Sequence, residues 1–108
     1  MEFQQIGYQP GKVARIIFNR PEQLNAQSYL LLDEVDSAFQ AAAADPSCGA
    51  IVLSGRGRAF SAGHDLGTPE ELAYCREHGL AGPHSMDLPQ EVADMYAYYV
   101  KKTLVWRN

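Results

Sequence analysis

The chain has 108 residues, of which 46% are hydrophobic and 20% charged; nine basic against thirteen acidic residues give a net charge of −4. That length holds one small domain with a modest core, and the acidic balance argues against a phosphate-backbone partner, so no nucleic acid is expected. No apolar run is long enough to cross a bilayer and no secretory leader opens the chain, so no membrane role is expected, and Cys48 and Cys75, lacking paired or metal spacing, are expected as free thiols in a reducing cytoplasm.

In chain order, residues 3–8 are predicted as a short strand. Gln9-Pro10-Gly11-Lys12 follows as a turn, since Pro10 presets φ and Gly11 supplies a positive one. Residues 13–18 are rich in β-branched side chains and form a second strand, antiparallel to the first. Residues 19–26 are a loop, because Pro21 biases Arg20 away from helix and the Asn residues favour turns. A helix is predicted over 28–44, with Leu31, Val35, Ala38, Phe39 and Ala42 on one stripe. Asp45-Pro46 ends it.

Residues 50–54 do not alternate in polarity, which suits a third strand buried on both faces. Strand, helix and strand together make an α/β unit with a right-handed crossover. A second helix opens at Thr68-Pro69-Glu70-Glu71, where Thr68 caps, Pro69 fits the first turn and Glu71 completes a capping box. Gly79 ends it. A last helix starts with Asp87 and Pro89 and carries Val92, Met95, Tyr96, Tyr99, Thr103 and Trp106 on one side.

Between the third strand and the second helix lies a glycine-rich loop, residues 55–67. A strand running into such a loop leaves backbone N–H groups at its carboxyl end, where open α/β sheets bind ligands. Gly55-Arg56-Gly57 is not a dinucleotide loop, because the third glycine of that pattern would fall on Phe60. Ser61, His64 and Asp65 have the composition of a hydrolytic triad, but groups this close in sequence rarely converge in a relay. They are expected as loop polar groups that bond the backbone. His64, His78 and His84 have no metal-ligand spacing. Arg56 and Arg58 are either solvated charge or an attraction for an anion. The small residues Ala62 and Gly63 let a ligand approach the chain closely, and two N–H groups aimed at one oxygen there would make an oxyanion hole.

Asn19-Arg20-Pro21-Glu22-Gln23-Leu24-Asn25-Ala26 resembles the NRP-x-x-x-NA segment of the enoyl-CoA hydratase/isomerase (crotonase) family. Residues 50–66 are similar to its IVLTG-x-G-x-AF-x-AG-x-DL segment, in the family's order and separation. The resemblance covers essentially the whole chain. It implies an α/β, crotonase-like (ClpP/crotonase) ββα spiral core, present as an incomplete amino-terminal portion over residues 1–108.

The family binds acyl-CoA thioesters and stabilises a thioester enolate, with coenzyme A as part of the substrate and no separate cofactor. The resemblance places CoA contacts at Glu22, Leu24, Ala26, Ala62, His64, Asp65 and Leu66. It makes the backbone N–H of His64 one of two oxyanion donors. Many relatives carry Ala there, but the role is a main-chain one. The second donor, the acid/base carboxylates and the helical part that drives trimer or hexamer formation match nothing in this chain, and Glu70, Glu71, Glu77, Asp87 and Glu91 are assigned no catalytic role. Two expectations follow. One is the amino-terminal part of a family enzyme, inactive by itself. The other is a non-catalytic CoA-binding or assembly module that self-associates through open sheet edges and the aromatic face of its last helix.

Overall fold

The computed structural model describes residues 2–80. Its elements are strand β1 (Ile6–Gln9), strand β2 (Val13–Phe18), a single 3₁₀ turn (Pro21–Gln23), helix α1 (Tyr29–Ala44), strand β3 (Ala50–Gly55) and helix α2 (Pro69–His78). The helix predicted around Val92 to Trp106 lies outside the described residues.

β2 is the middle strand. β1 pairs with it antiparallel, Ile6 opposite Phe18 and Tyr8 opposite Ile16. β3 pairs with it parallel on the other side, Ile16 opposite Leu53 and Phe18 opposite Gly55. The turn between β1 and β2 has Gly11 at φ 144. A parallel pair needs a crossover, and α1 provides it.

β2 alternates along its length. Ala14, Ile16 and Phe18 are buried, whereas Val13 and Arg15 are exposed. The buried row meets the predicted stripe of α1: Ile6, Ile16, Phe18, Leu31, Val35 and Ala38 form the core, with Phe3, Tyr8 and Phe39 packed against it. Burying each of the larger side chains stabilises the fold by about 2 kcal/mol.

Both helices begin as the sequence predicts. Ser28 caps α1, its Oγ accepting the Leu31 N–H. Thr68 caps α2 in the same way through the Glu71 N–H, and Gly79 closes that helix at φ 66. Neither Cys48 nor Cys75 is in a disulfide.

Three features differ from expectation. β1 starts at Ile6 rather than residue 3, because the N–H groups of Gln4 and Gln5 donate to the Glu34 carboxylate of α1, at 2.8 and 2.7 Å, instead of joining the ladder. The capping box at α2 is only half made. The Glu71 carboxylate does not turn back to Thr68; it accepts the Tyr29 N–H at the start of α1, and the Thr68 N–H goes to Asp65 instead. Finally, β3 is not buried on both faces. It is one of the two edge strands of the described sheet, and Ile51, Val52 and Leu53 are 36%, 38% and 37% exposed. The flat apolar run was the signal of a two-sided strand, but α1 lies over β1 and β2.

Candidate functional site: the loops at the carboxyl end of β3

Two loops meet beyond the carboxyl ends of β2 and β3, and buried polar side chains lock them together. The first runs from Asn19 to Gln27. Pro21 starts its 3₁₀ turn, after which Leu24 and Asn25 adopt left-handed φ values of 52 and 55. Such a conformation costs an L-residue about 1 kcal/mol, and the Asn25 side chain offsets it. Asn25 is fully buried. Its Oδ1 accepts the Arg20 N–H at 2.8 Å, and its Nδ2 donates to the carbonyls of Arg56 and Ala59, both at 2.8 Å. One amide thus fixes the first loop on the loop that follows β3.

The second loop leaves β3 through Gly55. A Cβ on Gly55 would lie 2.5 Å from the Phe60 carbonyl oxygen and 2.8 Å from Asn25 Nδ2, so only glycine fits there. Phe60 stacks on Phe18 with ring centroids 5.1 Å apart, which ties the loop to the end of the core. Ser61 Oγ donates to the Asn25 carbonyl and accepts the Gly63 N–H. It therefore supports the backbone, as do the Asp65 contacts below, and no triad relay forms.

Backbone bonds complete the junction. The Ala62 N–H donates to the Leu24 carbonyl at 2.9 Å. Gln27 and His64 form a parallel β-bridge, in which the Gln27 N–H reaches the Gly63 carbonyl at 2.7 Å and the Asp65 N–H reaches the Gln27 carbonyl at 3.0 Å. Backbone groups alternate sides along an extended segment, so with Gly63 C=O and Asp65 N–H turned to Gln27, the His64 N–H is directed to the opposite side. Gly63, at φ 107, allows the approach to that geometry.

Under the loop lies a charged pair. Arg20 Nη1 meets Asp65 Oδ2 at 3.0 Å, with both residues about 5% exposed or less. Arg20 Nη1 also donates to the Ala26 carbonyl at 2.6 Å, and Nη2 reaches Thr68 Oγ1 at 3.4 Å. Asp65 Oδ1 accepts the Gly67 and Thr68 N–H groups, and Oδ2 accepts the Thr68 hydroxyl. Burial works to raise the Asp65 pKa. The donors from Thr68, Gly67 and Arg20 outweigh it and hold the carboxyl below its ordinary value.

The residues implied by the family resemblance divide clearly in this geometry. Leu24 and Ala26 on the first loop join Ala62, His64 and Asp65 on the second. Ala62 and His64 are exposed, and Leu66 is 76% exposed. Glu22 is exposed on the 3₁₀ turn. Asp65 is the buried member, its carboxylate spent on Arg20 and the start of α2. His64 is exposed, yet partial desolvation lowers its pKa below the ordinary histidine value, which favours a neutral ring at pH 7. Arg56 and Arg58 are exposed, and the backbone of Arg56 contributes to the junction by donating to the Phe18 carbonyl and accepting from Asn25. No group of three or more His, Cys, Asp or Glu suited to a metal occurs among the described residues.

Sequence reasoning missed Asn25, Arg20, Gln27 and Glu71 as organisers of the site. Asn in a turn-rich loop was the available signal for Asn25. For Arg20 the signal was an arginine beside proline, which reads as surface until its partner is known.

The chain matches the family model for enoyl-CoA hydratase/isomerase over residues 9–98. The chain belongs to that family, and its fold is the crotonase-like core in part. It is 34% identical, over 99% of its own length, to a Mycobacterium tuberculosis protein named as an enoyl-CoA hydratase, EchA13. It is 42% identical, over 57% of its length, to the mitochondrial enoyl-CoA hydratase of Pongo abelii. Among solved structures, one described as an enoyl-CoA hydratase from Mycobacterium smegmatis superposes with a TM-score of 0.76 at 35% identity, covering 96% of this chain and 36% of that one. One from Mycobacterium thermoresistibile gives 0.71 at 37% identity, covering 96% and 37%. The chain spans 37% of the length of EchA13 and 21% of the Pongo abelii protein.

Proposed function

We propose that this chain supplies the CoA-lining wall of an acyl-CoA thioester site, with the His64 N–H as one of the two donors that stabilise a thioester enolate. The observation that carries the reading is the Gln27–His64 bridge, which directs that N–H to the side of the loop opposite Gln27. Family membership supports the substrate class. One such donor contributes about 3–4 kcal/mol of transition-state stabilisation. The main chain of 62–66, with Leu24 and Ala26 opposite, would line the CoA. Asp65 would act by shaping the loop, and exposed Glu22 and Leu66 would flank it.

The proton-transfer groups and the second donor of the family have no counterpart assigned in residues 1–108. The 108-residue chain is therefore expected to hold no hydratase activity of its own. Assay of the purified chain with crotonyl-CoA tests this, and turnover above the buffer rate overturns it. Calorimetric titration with coenzyme A tests the half-site directly; the absence of heat at millimolar ligand removes it.

A second reading is a non-catalytic CoA-binding or assembly module, in the cytoplasm, acting as a homo-oligomer. The exposed Ile51, Val52 and Leu53 on the edge strand favour it, because an apolar edge is a template for association. Sedimentation of a compact monomer at high concentration would count against this reading. No helix among the described residues is long and apolar enough to cross a membrane.

A further inference from the structure

Two buried carboxylates, Asp65 and Glu71, lie beneath the loop, and they are unequally supplied with donors. Asp65 collects four donors: the Gly67 and Thr68 N–H groups, the Thr68 hydroxyl and Arg20 Nη1. Glu71 is 2% exposed, and among the described residues its carboxylate accepts from the Tyr29 N–H alone, at 3.3 and 3.0 Å from its two oxygens. Arg20 directs Nη1 to Asp65 and the Ala26 carbonyl and Nη2 to Thr68 Oγ1. A buried carboxylate with few donors takes up a proton more readily than one that is saturated.

We propose that Glu71 is a proton-operated catch: neutral, it holds the start of α2 against the first turn of α1; ionised, it loosens α2 and the loop that feeds it. α2 begins immediately after Asp65 to Thr68, so the catch and the loop share an anchor. A cavity of about 260 Å³ borders Glu71, lined also by Gln5, Ser28, Glu70, Tyr74 and Glu77.

The groups that act on Glu71 pull in both directions, and burial prevails. Asp65 repels its charge, while Arg20 and the Tyr29 N–H favour it. From α2, Glu70 and Glu77 share its cavity wall. The segment before β1 contributes uncharged Gln4 and Gln5 there, and α1 contributes Ser28 and Leu30. Asp33 of α1 is bonded to the Tyr74 hydroxyl at 2.7 Å. Burial is the largest influence, and the Glu71 pKa is pushed up to about 7 from 4.5. Because the docked value lies above the undocked one, docking is strongest at low pH. It weakens by about tenfold per pH unit between the two values and levels off above the higher one.

The test is a carbon-detected NMR titration of the Glu71 carboxyl in the 108-residue chain. A midpoint near neutrality, shared by the Tyr29 amide shift, is expected; a midpoint in the ordinary carboxylate range overturns the proposal. The second measurement is hydrogen exchange of the α2 amides between pH 6 and 8. In the native chain, exchange should rise about tenfold beyond its intrinsic pH dependence, and in Glu71→Gln it should follow the intrinsic dependence alone. Equal slopes in the two chains overturn the proposal.

Discussion

The two ends of β3's environment are built on opposite principles. At its carboxyl end, Gly55 passes into a junction where Asn25, Arg20 and Asp65 are buried and each meets several partners. Along the strand itself, Ile51, Val52 and Leu53 stand more than a third exposed. The first region spends polar groups on precise geometry with little room for error, because a buried polar atom that loses its partner costs far more than the bond contributed. The second holds apolar area without using it. A change of one side chain should therefore be felt strongly in one place and weakly a few residues away.

The largest effect is expected at the charged pair. Asp65→Ala leaves the Arg20 guanidinium buried without its counter-charge and frees the start of α2. A loss of about 3–5 kcal/mol is expected in urea unfolding. Asn25→Ala strands one N–H and two carbonyls and removes the link between loops; about 2–4 kcal/mol should be lost by the same measurement. Gly55→Ala forces the Phe60 carbonyl away and should cost about 1–3 kcal/mol, with the Phe18–Phe60 stack disturbed in the aromatic NMR signals. These three share the junction, so pairs of them should fall short of additivity.

Acid should probe the same corner more gently. The Asp65 pKa is lower in the folded chain than its ordinary value. Its contribution is thus present above the unfolded pKa and is lost as pH falls through the folded one. Comparing the acid limb of the chain with that of Asp65→Asn should show a flatter slope in the variant. The smallest effect belongs to the open strand. Leu53→Ser should change stability by about 0.5 kcal/mol or less, while reducing any self-association seen by sedimentation. A large stability loss there would mean that β3 is covered, and the contrast between the two regions would collapse.

How much of this the sequence carried depended on distance along the chain. Both helix starts, the α1 stripe, the hairpin and the parallel partner of β2 were legible, because caps, periodicity and turn residues act locally. So was a glycine-led loop between β3 and α2. The start of β1 was not, since Glu34 takes the Gln4 and Gln5 N–H groups from 30 and 29 positions away. The full capping box at α2 failed for the same reason. Its Glu71 answers a need at α1 that no window around Thr68 contains. The exposure of β3 escaped prediction because a flat apolar run states that a strand can be covered, without stating what covers it. The Arg20–Asp65 pair was hidden in two motifs recognisable by resemblance, whose charges read as surface until the fold joins them.

The bridge between Gln27 and His64 has a further consequence. The direction of the amide at position 64 is set by its neighbours, through Gly63 C=O and Asp65 N–H. Orientation and side-chain identity are thereby uncoupled at this position. The loop can be refitted with a larger, smaller or differently charged group at 64 while its main chain keeps the same aim, so the position serves as an adjustable lining on a fixed mount.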